Sequence, residues 1–220
     1  MTGLTDEQIH AIGFITIAWN GCERILETVI WTAAGWEGWI GSAVTSDLQN
    51  VARTTLAKNV ISLCVKDDTR LTAEALDVLA FFDINRSRRN NLVHGLPLHM
   101  REGSAPDMLY RSKATAGTGM TQELGTDVSP QALSALAQDI VTTFGALGAI
   151  ALKLHLRNQH LALRDHGSRD EVVHGVLEPS FDIAALRKRL ETLRQPHPSQ
   201  RNNPRPPKSP RAKAQRTKPP

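Results

Sequence analysis

Between Ile12 and Ala33 the apolar residues return at alternating spacings of three and four: Ile12, Ile15, Trp19, Cys22, Leu26, Val29 and Ala33. That mean spacing lies close to the helical repeat of about 3.6 residues, so all seven side chains share one face. A stripe of this length must be covered along its whole run, which predicts a long helix packed lengthwise in a bundle. Thr5 followed by Asp6, Glu7 and Gln8 reads as a capping box, with acidic groups where the helix dipole favours them. Asn20, Arg24 and Glu27 lie off the stripe and are expected to face water. Gly35, Gly38 and Gly41 should end the helix, with Trp31, Trp36 and Trp39 packing at the bundle end.

The same reading places a second helix over 46–65, carrying Leu48, Val51, Leu56, Val60, Leu63 and Cys64. A third begins near Thr72, carries Ala75, Leu76, Leu79 and Phe82, and runs on through Arg86. Gly95 is placed to stop it in a left-handed conformation, and Pro97 forbids continuation. Residues 98–128 read as a loop with a β-hairpin around Met108 to Ala114. Ser129-Pro130 opens a fourth long helix bearing Leu133, Leu136, Ile140, Phe144, Leu147, Ile150 and Leu154. Gly145 and Gly148 within it predict close approach of a neighbouring helix, since glycine otherwise weakens a helix. After Arg157 the chain is expected to be loop-like, with a short helix over 182–193. The fold class is all-α: an up-and-down bundle of about four long helices with a hairpin insertion. The expected organisation is a bundle over 1–158, a charged segment over 159–194 and a disordered basic tail over 195–220.

Composition limits what such a bundle binds. The chain of 220 residues has a formal charge of +4, but eight Lys and Arg and no Asp or Glu lie between Arg194 and Pro220. The remainder therefore has 18 basic against 22 acidic residues, and the folded part has no global positive field for a polyanion. The tail's prolines and charges cannot bury enough apolar surface to offset chain entropy. Cys22 and Cys64 sit among apolar neighbours without metal-ligand spacing, and are expected to be buried thiols of a reducing compartment. The N-terminus is acidic where a secretory leader is basic. The uncharged apolar run Ile140 to Leu152 is shorter than the roughly 20 residues that a bilayer requires. The expectation is a cytoplasmic protein without a membrane partner.

The strongest candidate site closes the third helix. Asp83, Arg86, Asn90 and His94 fall within about 60° of one another, at about 100° per residue, and form one ridge. Arg86, Arg88 and Arg89 make a local positive field inside a slightly acidic domain. Imidazole exchanges protons near neutral pH, and guanidinium grips phosphate oxygens with a planar fork. Arg89 and His94 are five residues apart, about 140° around a regular helix, and do not share a face. They can meet only through the long arginine side chain, a distorted last turn or a second protomer.

Arg89-Asn90 followed four residues later by His94 resembles the Arg-polar-x3-His signature of the HEPN superfamily. Those proteins are helical bundles, many of them metal-independent endoribonucleases. Trp19 and Glu23 on a long first helix also resemble small HEPN-like proteins, and the likeness covers roughly residues 5–158. It implies attack of a ribose 2′-hydroxyl on the adjacent phosphate. His94 would act as general base or acid, Arg89 would stabilise phosphate charge, and Asn90 would orient the histidine or the scissile group. Asp83, Arg86, Arg88 and Glu23 would support them. No metal or cofactor is implied. Active sites in this family commonly form where two protomers meet, so the resemblance implies a homodimer acting on RNA, with a cognate antitoxin or partner protein as a further candidate.

Two observations favour a different reading. The same ridge suits a non-catalytic dimerisation or partner-binding module, its arginines paired with Asp83, Glu23 or Glu27. Arg169-Asp170 to His174-Gly175 repeats the spacing without a long apolar helix ahead of it, so spacing alone is weak.

Overall fold

The computed structural model describes residues 4–94, 108–114, 121–165 and 181–195. Within them the chain is mostly helical: α1 (Asp6–Ala34), α2 (Gly38–Thr45), α3 (Asn50–Cys64), α4 (Thr69–His94), α5 (Pro130–Asp165) and α6 (Ile183–Arg194). Strands β1 (Met108–Ala114) and β2 (Thr121–Asp127) pair antiparallel, from Met108 opposite Asp127 to Ala114 opposite Thr121. The expected helix stop at Gly95 and Pro97, the echo at Arg169 and His174, and the tail from 196 onward lie outside the described residues.

The capping box forms. Thr5 Oγ1 accepts from the Gln8 amide at 3.2 Å, and Gln8 Oε1 accepts from the Thr5 amide at 2.9 Å. Ile15, Trp19, Cys22, Leu26 and Val29 are fully buried, and Ala33 nearly so. Each fully buried Leu or Ile of this stripe contributes about 1.5–3 kcal/mol. Trp19 stacks obliquely on Phe82 of α4 with ring centroids 4.6 Å apart. Gly35 ends α1 at φ 68°, a left-handed conformation that glycine adopts without Cβ strain.

Successive bonds give the helix directions. Gln8 Nε2 donates to the Val128 carbonyl at 3.0 Å, Cys22 Sγ to that of Ile140 at 3.6 Å, and Asn158 Nδ2 to that of Thr32 at 2.7 Å. Residue numbers rise together, so α1 and α5 run parallel. Lys153 to Glu74 at 2.8 Å, Asn85 to Thr143 at 3.2 Å and Arg88 to Asp139 at 2.5 Å make α4 antiparallel to α5. Thr72 to Val65 at 2.9 Å and Lys58 to Asp83 at 2.6 Å make α3 antiparallel to α4. Thus α3 runs in the same sense as α1. Simple alternation is interrupted because the glycine-rich corner holds an extra helix, α2, which makes the return.

Other departures have local causes. Gly38 and Gly41 start and occupy α2, and do not only break α1. A Cβ on Gly41 would lie 2.3 Å from Trp31 Cγ, so the glycine seats the Trp31 indole on the α2 backbone. Trp39 does not pack; it is 72% exposed and donates to Glu37 Oε2 at 2.6 Å. Glu27 is buried, because Arg53 of α3 reaches it at 3.1 Å and Arg24 covers it at 3.5 Å. On α3 the buried face is Thr54, Ala57, Val60 and Ile61, which leaves Val51, Leu63 and Cys64 exposed. Cys22 alone matches the expectation of a buried thiol, and burial pushes its pKa up to about 12. Helix α5 continues beyond Arg157 to Asp165, tied back by Arg157 to Asp67 at 2.5 Å. Its span Pro130–Ala162 is long and apolar enough to cross a bilayer, a test that core helices of soluble proteins also pass. Phe144 and Val141 on it are each 46% exposed.

Candidate functional site

Helix α4 carries all the candidate residues except Glu23, and its last three turns distribute them around the axis. Asp83 accepts from Lys58 Nζ at 2.6 Å and from Arg86 Nε at 3.3 Å. That carboxylate joins α3 to α4, and Arg86 is spent in holding it. Glu23 Oε1 accepts from Trp19 Nε1 and from Asn50 Nδ2, the latter at 2.5 Å. It braces the central indole against the start of α3, so its hydrogen bonds among the described residues are structural.

Arg88 belongs to a buried network for which sequence offers no local signal. Its Nη1 donates to Asn85 Oδ1 at 3.0 Å and to Asp139 Oδ2 at 2.5 Å. Arg189 of α6 grips the same carboxylate with both prongs, Nε to Oδ1 at 2.8 Å and Nη2 to Oδ2 at 2.7 Å. Those hydrogen bonds raise the Arg189 pKa above its ordinary value. Asn85, fully buried, donates to Thr143 Oγ1 at 3.2 Å, and Thr143 donates to the Asp139 carbonyl at 2.7 Å. One buried carboxylate therefore clasps α4, α5 and α6 together. The bidentate geometry is the form in which guanidinium and carboxylate bind most strongly.

Arg89 is different. Its Nη1 donates to Asn90 Oδ1 at 3.1 Å, and its Nε is buried with no hydrogen-bond partner. Of the three clustered arginines it alone has no carboxylate partner among the described residues. A buried guanidinium nitrogen without an acceptor is costly, and Arg157 Nε shares that state although its guanidinium pairs with Asp67, so the Nε alone does not mark a ligand site. His94 ends the helix and is exposed. The structure thus brings Arg89 and Asn90 together and leaves His94 open to solvent. It does not bring His94 into contact with either.

Beside this helix end lies a half-open cleft of about 270 Å³. Arg88, Asn91 and Leu92 of α4 form one wall, β2 at Gly125 to Asp127 another, and the first turns of α5 the third. Asp127 caps α5 by accepting from the Ser129 amide at 2.8 Å. The cleft has Arg88 on one side, already engaged by Asp139, and a carboxylate on its rim, so it carries no net attraction for an anion.

Comparison with protein-family models, curated proteins and solved structures yields no match for this chain.

Proposed function

We propose that this chain is a HEPN-like, metal-independent endoribonuclease that works as a homodimer, with Arg89, Asn90 and His94 at its site. The observation that carries the reading is the unequal use of three neighbouring arginines. Arg86 and Arg88 are committed to Asp83 and Asp139, whereas among the described residues Arg89 has only the neutral Asn90 and a buried Nε without an acceptor. A phosphate oxygen would pair with the outer N–H groups of this half-buried guanidinium, the Nε itself being closed to solvent. The exposed His94 imidazole would take the proton from a ribose 2′-hydroxyl or deliver one to the leaving 5′-oxygen. Because Arg89 and His94 point in different directions, the RNA backbone itself spans the distance between them. Purified protein should cleave single-stranded RNA in EDTA, and His94→Ala should abolish cleavage while keeping the parent's melting temperature. Equal cleavage by the variant would overturn the proposal.

The second reading is a non-catalytic helical module that dimerises or binds a partner. It is favoured by the roughly 140° between Arg89 and His94 and by the apolar surface of α1 and α5. It predicts no cleavage of any RNA by the unaltered protein.

A further inference from the structure

Helix α5 presents a stripe that no contact among the described residues covers. Ala137, Val141, Phe144, Gly145, Gly148 and Leu152 fall within about 100° of arc. Asp139, Thr143 and Lys153, which face α4, lie outside that arc. From Pro130 to Leu152 the only charged residue is Asp139, and it is buried in the clasp with Arg88 and Arg189. Val141 and Phe144 are each 46% exposed and Leu152 is 39% exposed. Next to them on α1, Phe14 is 53% and Ile17 74% exposed. The two glycines are the sharper observation. A Cβ at Gly145 or Gly148 would meet no atom within 4 Å, so neither makes room for another of the described segments. Both weaken a helix that alanine would strengthen. The contrast is Gly21, where a Cβ would come within 2.9 Å of the Phe144 ring, a close approach that does require glycine.

We infer that this face is where a second copy of the chain binds, with α5 lying antiparallel on the partner's α5 about a two-fold axis between Phe144 and Gly145. The stripe complements itself under that operation. Val141 falls opposite the notch at Gly148, Leu152 opposite Ala137, and Phe144 opposite Gly145. Each pairing sets a large side chain against a small one, as an isologous interface requires. Five exposed side chains, Phe14, Ile17, Val141, Phe144 and Leu152, offer about 500 Å² of apolar surface per copy, and the polar rim of Ser134, Gln138 and His155 brings the patch toward the ~800 Å² per partner of a stable interface. The stripe points away from α4, so Arg89 and His94 of both copies stay uncovered. This interface keeps the two Arg89–His94 sites apart, so it differs from one in which protomers meet at the motif; it is read by mass and stands or falls apart from RNA cleavage.

The test uses the full chain of 24.1 kDa in light scattering after size exclusion, at micromolar concentration. The unaltered protein should run at about twice the monomer mass. Val141→Lys and Gly148→Leu should both run as monomers. Gly148→Leu should melt at or above the temperature of the Val141→Lys monomer, because leucine is the better helix former and its Cβ meets no atom among the described residues. In a Cys64→Ser background, Val141→Cys with Gly148→Cys should oxidise to a covalent dimer, while either cysteine alone crosslinks far less. A monomeric parent protein would overturn the inference. So would a dimer unchanged by both substitutions, or a monomer that floats with phosphatidylcholine vesicles, which would assign the face to lipid.

Discussion

Asp139→Asn should destabilise the fold well beyond an ordinary polar substitution. The Asp139 side chain is 7% exposed and receives three guanidinium hydrogen bonds, one from Arg88 and two from Arg189. Removing one partner of a fully buried ion pair costs about 3–5 kcal/mol. Here the Arg88 and Arg189 side chains remain 31% and 38% exposed, so water recovers part of their solvation. The asparagine also keeps one acceptor oxygen. A loss of roughly 2–3 kcal/mol follows, scaling the buried-pair value down for this exposure. For a domain of this size that lowers the melting temperature by roughly 5–10 °C. Thermal melts followed by far-ultraviolet circular dichroism would read it directly. Arg189→Ala serves as a companion, because it releases α6 but leaves Arg88 on its carboxylate, and should cost about 1.5 kcal/mol, the low end for hydrogen bonds to a charged group given its 38% exposure. Raising salt should change the Asp139→Asn deficit little, since a buried pair is weakly screened. A deficit below about 0.5 kcal/mol, typical of surface sites, would refute the claim that this carboxylate clasps three helices.

Glu74 gives a pH prediction of definite sign. Burial opposes its ionisation, but hydrogen bonds from Lys153 and Arg70 outweigh that and hold its pKa below the ordinary value. Its contribution is therefore complete above the unfolded carboxyl value of about 4.3 and is lost as pH falls through the lower folded value. Glu74→Gln should flatten the fall of melting temperature over that interval, and an unchanged slope would contradict the assignment. Cysteine labelling separates the two thiols. The native protein should take up one iodoacetamide, on the exposed Cys64, while Cys22 reacts only after unfolding. Mass spectrometry showing rapid double labelling of native protein would contradict the buried setting of Cys22.

What sequence could show was local. Thr5 and Gln8 lie three residues apart, and the α1 stripe repeats within one element, so both were legible from spacing alone. So were the start of α5 at Pro130 and the short helix expected over 182–193, observed as α6 (Ile183–Arg194). Partnerships between distant segments were not. Nothing near Asp139 in sequence announces its partners, because Arg88 and Arg189 lie about fifty residues away on either side. Glu27 looked solvent-facing because nothing near it in sequence announces Arg53. The close neighbour expected at Gly145 and Gly148 of α5 is absent among the described residues, where a Cβ at either position would meet nothing within 4 Å. At the candidate site, the resemblance to the HEPN signature singled out Arg89, Asn90 and His94 as an expectation. Only the three-dimensional partners distinguish Arg89 from Arg86 and Arg88.

That distinction is the centre of the account, and a paired measurement on adjacent residues tests it most directly. Arg88→Ala and Arg89→Ala should be compared for melting temperature and for RNA cleavage in EDTA. Arg88→Ala should lower the melting temperature by several degrees, because it strips a buried carboxylate of a partner. Arg89→Ala should leave it unchanged or slightly raised, having removed a nitrogen without an acceptor, and should abolish cleavage. An Arg89→Ala protein that melts as low as Arg88→Ala, or that cleaves RNA as the parent does, would contradict the account.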